Sequence, residues 1–357
     1  MLTALDQVRL LSRIRLPLIF LLAAVISIAQ SSATDSASRT IIETLKVGGP
    51  DGWDYATFDA PTHTLYIAHG SGVASLNATT KAINPHLADA QGAHIAVPFA
   101  GGSRLLVTHG KANQITLNDA KTGAVDATIP TDAKPDAALL EPTTGRGFVM
   151  ANGGGTVDVI DLDSKAVVAR IAVGGAPEAA AYDGQGLVFT HLEDHSAIVV
   201  IDAKAMKIKA TYPMKGCEDP SGIAAIPKRN LILSACANQI VRITNATTGA
   251  VVASLPLGKH PDSAFWDEDR QVGYVPCGDG TLTVIDFKNG VARVAEVVAT
   301  EPGARTGALD PKSGLVYLPT GEFGAPEKPG GRPSIVPNTL KVLVIGSASQ
   351  KEAHQNR

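Results

Sequence analysis

Seven polar residues recur along the 357-residue chain at steps of 40 to 43 positions: Asp54, His94, Asp136, Glu178, Ser221, Asp262 and Arg305. Four are carboxylic acids, one carries an imidazole and one a guanidinium, while the residues that follow them are mainly small or apolar. Clustered carboxylates suit Ca²⁺, Mg²⁺ or Mn²⁺, and an added imidazole moves the choice toward Zn²⁺ or Cu²⁺. The set therefore predicts a polar ligand or one divalent metal ion, the metal held by Asp54, Asp136, Glu178 and Asp262. His94 then stands as a general base, and Arg305 as the group that holds an anionic part of a substrate. A solvated channel mouth is also polar when nothing binds there, and Arg305 fits equally as a structural counter-ion.

A second echo lies fifteen positions later, at His69, His109, Ala151, Glu193, Cys236, Cys277 and Thr320, with Asn152, His191 and His195 nearby. Four of these seven positions are His or Cys in a chain with nine His and three Cys, and such types ligate soft or borderline metals. His69 and His109 are thus weaker metal candidates, but both precede Gly and fit equally as caps of tight turns. His191 and His195, in "THLEDHSA", read as a solvated loop. No CxxC or HExxH spacing is present.

A repeat must position these residues. Copies begin at "WDYATFDAPTHTLYIAHG", "AHIAVPFAGGSRLLVTHG", "PDAALLEPTTGRGFVMANG" and four later equivalents, each followed by a strand-like run such as "TVDVIDLD" or "TLTVIDFK". Four short strands per unit at this period predict an all-β fold, a seven-bladed β-propeller of four-stranded blades. A β-helix has a much shorter repeat. The seventh copy lacks a fourth strand, and the orphan run "TIIETLKVGG" (Thr40 to Gly49) is expected to complete it, closing the ring and removing an exposed edge. In this topology both echoes fall on one face. On that face the seventh copy carries "GEFGAPEKPGGRPSIVPN" in place of a tight turn, read as a rim or partial lid with Glu322, Glu327, Lys328 and Arg332 as contacts.

The first 33 residues read separately. Arg9, Arg13 and Arg15 precede the apolar run "LPLIFLLAAVISIA" and small residues that offer cleavage, the pattern of a secretory signal peptide. The expected organisation is residues 1–33 signal peptide, 40–347 propeller and 348–357 a C-terminal tail. Cleavage moves the formal charge from −3 to −5, a poor footprint for nucleic acid. Asn77 and Asn245 open "NAT" sequons, a pattern that arises easily by chance. Cys217 precedes the innermost strand of the fifth copy and Cys236 ends its second strand, so a disulfide between them is favoured over metal ligation, leaving Cys277 as a spare thiol.

The stretches "GCEDPSGIAAIPKRNLILSACAN", "GDGTLTVI", "GARTGALDPKSGLVYLPT" and "RPSIVPNTLKVLVIG" resemble the YVTN-repeat (YncE-like) propellers of exported bacterial proteins, over roughly residues 40–347. The resemblance implies a periplasmic or secreted seven-bladed propeller, agrees with a Cys217–Cys236 disulfide, and fixes no single activity. The function expected is therefore non-catalytic binding of a small polar molecule or an envelope protein at the channel mouth. No nucleic acid and, after signal cleavage, no membrane is expected as a partner, and the state expected is monomeric. The alternative is a lactonase-like, metal-dependent hydrolase or lyase using His94 and Arg305.

Overall fold

The structure, a computed structural model, describes residues 38–49, 52–326 and 333–355. Residues 1–33, read as a signal peptide, lie outside the described residues. Among the described residues no helix is long and apolar enough to cross a membrane.

Seven antiparallel four-stranded sheets follow one another as blades of a propeller. Blade 1 runs through Trp53–Asp59, Thr64–His69, Gly72–Asn77 and Ile83–Asp89, and blades 2 to 6 repeat this order. Blade 7 is composite: Ala308–Leu309, Val316–Thr320 and Lys341–Ser347 come from the C-terminal part of the propeller, and Arg39–Lys46 adds the outer strand. Leu45 lies opposite Val342 and Thr44 opposite Leu343, so the first described strand joins the last and closes the circle. The N-terminal strand thereby covers the edge that Lys341–Ser347 would otherwise expose to another chain.

The reason these runs become strands lies in how blades stack. Middle strands such as Gln114–Asp119 and Thr156–Asp161 are buried along almost their whole length because each sheet has a neighbour on both faces. Leu233 and Ile243 of blade 5 pack with Val275 and Ile285 of blade 6, and Tyr274 and Leu282 of blade 6 pack with Val316 and Leu343 of blade 7. Each such aliphatic side chain contributes roughly 1.5–3 kcal/mol of burial. Outer strands face solvent; Lys207–Pro213 is mostly exposed.

Turns recur as the sheets do. Asn77 Oδ1 accepts from the backbone N–H of Thr79 and Thr80, and Asn245 Oδ1 from Thr247 and Thr248. Asp119 does the same in blade 2, so both sequon asparagines sit where the repeat needs a side-chain acceptor to close a turn. The C-terminal tail begins as a helix, Ala348–Gln355, whose Gln350 Nε2 donates to Ser313 O at 2.7 Å. Cys217 and Cys236 form a disulfide with Cα atoms 5.3 Å apart, and Cys277 is a free, buried thiol.

Candidate functional site

In blades 1, 3, 4 and 5 the innermost strand slips against the second just after its first residue, between Trp53 and Ala56, Pro135 and Ala138, Pro177 and Ala180, and Pro220 and Ile223. The two residues inside each slip are the recurring polar residue and its successor. A bulge of this kind bends the strand and re-aims its side chains. In blades 2, 6 and 7 the innermost ladder starts later, at Ala96, Phe265 and Ala308, so His94, Asp262 and Arg305 lie in the approach to it. Repeat and bulge together place one polar residue per blade at the same register.

Three of them meet. His94 Nδ1 lies 2.7 Å from Asp54 Oδ2 and 3.0 Å from Asp136 Oδ1, and Lys134 Nζ is 3.7 Å from Asp136 Oδ2. Burial alone pulls the imidazole down, but the two carboxylates outweigh it and push His94 up to about 10. Burial raises Asp54 despite the partly offsetting bond from His94. At neutral pH the arrangement is an imidazolium clamped between two acids from neighbouring blades, so His94 already carries the proton a general base would have to take. The ligand atoms of Asp54, His94 and Asp136 all lie within 4.8 Å of one another, close enough to share a metal ion.

Glu178 and Asp262 do not join that group. Glu178 Oε1 accepts from the hydroxyl of Tyr55 at 3.0 Å, and Oε2 from Asn152 Nδ2 at 3.2 Å. Asn152 Nδ2 also lies 3.5 Å from Glu193 Oε1, and its Oδ1 accepts from Lys134 at 3.1 Å. Burial, with Asp136, Glu193 and Asp262 adding negative charge, raises Glu178 to about 8. Asp262 pairs with Arg305, Nε to Oδ2 at 3.0 Å. Burial still raises Asp262 to about 7, against the pull of the Arg305 guanidinium. Ser221 turns aside, its hydroxyl donating to Pro261 O at 2.9 Å. The four carboxyl groups expected around one metal are therefore shared among three separate pairings.

Tyr55 and Lys134 were not singled out in the sequence. Tyr55 belongs to blade 1 and Glu178 to blade 4, so the phenol reaches across the ring, and it is buried. The signal was present in the repeat: the residues aligned with Tyr55 are Ile95, Ala137, Ala179, Gly222, Ser263 and Thr306, all smaller.

Of the second echo, Glu193 comes within 3.5 Å of Asn152, but the histidines and cysteines are not brought together. His109 is buried, with Nε2 2.9 Å from Thr116 Oγ1, and burial lowers its pKa. The His69 ring lies 5.6 Å from that of His86, inside blade 1. Both end second strands whose side chains are enclosed between blades, so equal sequence offset gives equal depth, not convergence. Cys236 is spent in the disulfide, and burial raises the Cys277 thiol to about 12. His191 departs from the solvated loop expected: it is fully buried, with Nδ1 3.0 Å from Ser221 O and Nε2 2.9 Å from Ser234 Oγ, and burial lowers it to about 4. His195 does face solvent, beside Asp194.

The blade 7 insertion forms a hairpin of Phe323–Pro326 and Pro333–Ile335. Phe323 meets Trp53, the residue before Asp54, edge to face at 5.8 Å, and Trp53 Nε1 donates to Gly303 O at 3.3 Å. Gly303 has φ +84°, and a Cβ there would collide with the Phe323 ring, so only glycine lets the hairpin seat. Glu322 is exposed; Glu327, Lys328 and Arg332 lie outside the described residues.

No family model matches the chain, and no curated protein matches it. Solved structures do. A chain of the Kuenenia stuttgartiensis hydrazine synthase superposes with TM-score 0.67 at 16% identity, covering 75% of this chain and 92% of that one. A chain of a mitotic checkpoint complex superposes with TM-score 0.69 at 15% identity, covering 88% of this chain and 96% of that one. At such identities the likeness is one of fold, the seven-bladed β-propeller, which serves generally as a binding scaffold.

Proposed function

We propose that the chain is an exported, non-catalytic β-propeller, akin to the YVTN-repeat group, that binds a small polar ligand at the mouth of its channel. The observation that carries this is the recurrence of charged side chains from six blades at one register, among which Asp54, His94 and Asp136 meet while Tyr55 reaches Glu178 across the ring. Export rests on the basic and apolar pattern of residues 1–33, and kinship on the stretches quoted above; a polar loop of an envelope protein belongs to the same reading. The test is native mass spectrometry of protein purified from the compartment to which it is exported, beside an Asp54→Ala/Asp262→Ala variant. A stoichiometric small molecule lost from the folded variant supports the reading. A chain that still carries residues 1–33, or that holds no ligand and gains no thermal stability from amines, carboxylic acids or sugars, counts against it.

One observation favours a second reading, a metal-dependent hydrolase or lyase. Asp54, His94 and Asp136 stand close enough to share a cation, which would polarise a carbonyl. Beside them Glu178 and Asp262 titrate at about 8 and about 7, near where a general acid or base works best. Metal content in the same preparation separates the two: one equivalent of Zn²⁺ or Mn²⁺, lost with Asp54→Ala, moves lactone and lyase assays to the front.

A further inference from the structure

A propeller channel ordinarily runs between its two faces, and a long side chain at the inner position one place after a recurring polar residue can cross it. Five of the seven are Ala137, Ala179, Gly222, Ser263 and Thr306. Ser263 Oγ donates to Arg305 O and Thr306 Oγ1 to Asp54 O, so these hydroxyls stitch blades together and stay out of the bore. A Cβ on Gly222 would strike the backbone of Ser263 in the next blade. Tyr55 alone sends an aromatic ring across. Its hydroxyl is fixed on Glu178, which is fixed by Asn152, and its ring packs in one buried cluster with Ala137, Ala179 and Ile223 of blades 3, 4 and 5.

We propose that Tyr55 is the positioning residue of the mouth: it closes the channel below the ring of polar residues and turns the mouth into a blind pocket, so that a ligand caps one face and no extended chain threads the molecule. The proposal rests on the reading of the mouth as a binding site, and narrows its ligand to a small polar molecule or a short polar loop of a partner. It also gives Glu178 a purpose: held by Tyr55 and Asn152, its carboxyl is turned into the pocket floor and away from bulk solvent.

Thiol accessibility tests the floor without any ligand. In the full chain carrying Cys277→Ser, Ala137→Cys places a thiol in the buried cluster that holds the Tyr55 ring, and alkylation by iodoacetamide is followed by intact mass. With Tyr55 present the thiol is expected to be protected. With Tyr55→Ala it is expected to react at least about tenfold faster, while Tyr55→Phe, which keeps the ring, stays protected. Should Tyr55→Ala fail to fold by circular dichroism, Tyr55→Val opens the same gap with a smaller cavity. Equal labelling with and without the Tyr55 ring, whether fast or slow, overturns the proposal. Co-purified ligand in a protein with an open floor would leave the binding reading standing and remove only this one, whereas a sealed floor with no ligand does the reverse.

Discussion

The two sides of the mouth solve the same problem differently. Across blades 1 to 4 the polar groups form one continuous circuit: Asp54 to His94, His94 to Asp136, Asp136 to Lys134, Lys134 to Asn152, Asn152 to Glu178, and Glu178 back across the ring to Tyr55 beside Asp54. On the side of blades 5 to 7 the recurring residues make one ion pair, Asp262 with Arg305, whose side chain is 45% exposed, and a serine turned toward backbone. Blade 5 is instead stapled covalently by Cys217–Cys236, and blade 7 carries the hairpin seated on Trp53. A buried charge is tolerable only when paired and hydrogen-bonded, so the circuit makes blades 1 to 4 the rigid wall. The other side keeps a charge that solvent, and so a ligand, can reach.

The largest effect that this contrast predicts is at Tyr55, the link that closes the circuit. Tyr55→Ala is expected to cost about 3–5 kcal/mol in urea unfolding, the range for removing a buried aromatic. Tyr55→Phe should cost only the hydroxyl's hydrogen bond, about 1–2 kcal/mol. An alanine variant within about 1 kcal/mol of the parent would break the comparison, because the circuit would then have no keystone. On the other side the corresponding link is covalent. Cys217→Ser/Cys236→Ser opens a loop with a sequence separation of 19 and is expected to cost about 3 kcal/mol by the loop-entropy account. A matching loss of stability on reduction with dithiothreitol would check it.

Titration separates the sides by pH. Besides Asp54, which burial also raises, three groups of the mouth hold their protons more tightly folded than unfolded: Asp262 at about 7 against 3.8, Glu178 at about 8 against 4.5, and His94 at about 10 against 6.5. A raised folded pKa stabilises below the unfolded value, and that stabilisation is lost as pH climbs through the folded one. All three therefore act in the same direction, and their contribution to stability should fall steadily from about pH 4 to about pH 10. Glu178→Gln, which cannot ionise, should remove Glu178's own share of that slope between 4.5 and about 8 and leave the shares of Asp262 and His94 in place. Urea unfolding at intervals of pH measures it; an unchanged slope in the variant would mean that Glu178 is ionised in the folded protein at neutral pH.

What the sequence made legible was periodic, and what it hid was reach. Seven blades, closure by an N-terminal strand and one polar residue per blade all follow from a single offset, because each copy repeats the same local geometry. The pairing of Cys217 with Cys236 was legible because both lie within one copy. Partners set by side-chain length across blades were not: the offset cannot say that Asp54 and Asp136 both reach His94 while Glu178 turns to Tyr55. Tyr55 was passed over because its position in the repeat is mainly small or apolar, when its being the exception was the information. The second echo failed for the opposite reason. His69 and His109 keep register but end strands enclosed between blades, so nothing brings them to the mouth. His191 read as loop because "THLEDHSA" is polar, yet it lies within a second strand, one residue from its end, inside the core, its two nitrogens matched to Ser221 and Ser234.

The smallest predicted effect is on the open side, at Arg305. With the Arg305 end 45% exposed and Asp262 able to take up a proton near pH 7 once its partner is gone, the pair is worth less than about 1 kcal/mol, so Arg305→Ala should hardly alter stability at neutral pH. It should alter the charge of the mouth, because the guanidinium is what holds Asp262 from rising further than about 7. With Arg305 gone, the Asp262 part of the pH slope should extend to higher pH, while the part that belongs to Glu178 stays where it is. The same change made inside the circuit, Asp136→Ala, strips His94 and Lys134 of a shared partner and should cost several times more, since it leaves an imidazolium short of a counter-charge in a largely buried setting. If the two variants cost the same, blades 5 to 7 are held as tightly as blades 1 to 4. The solvent-facing guanidinium would then be one more structural counter-ion, and not the group at which a ligand is first met.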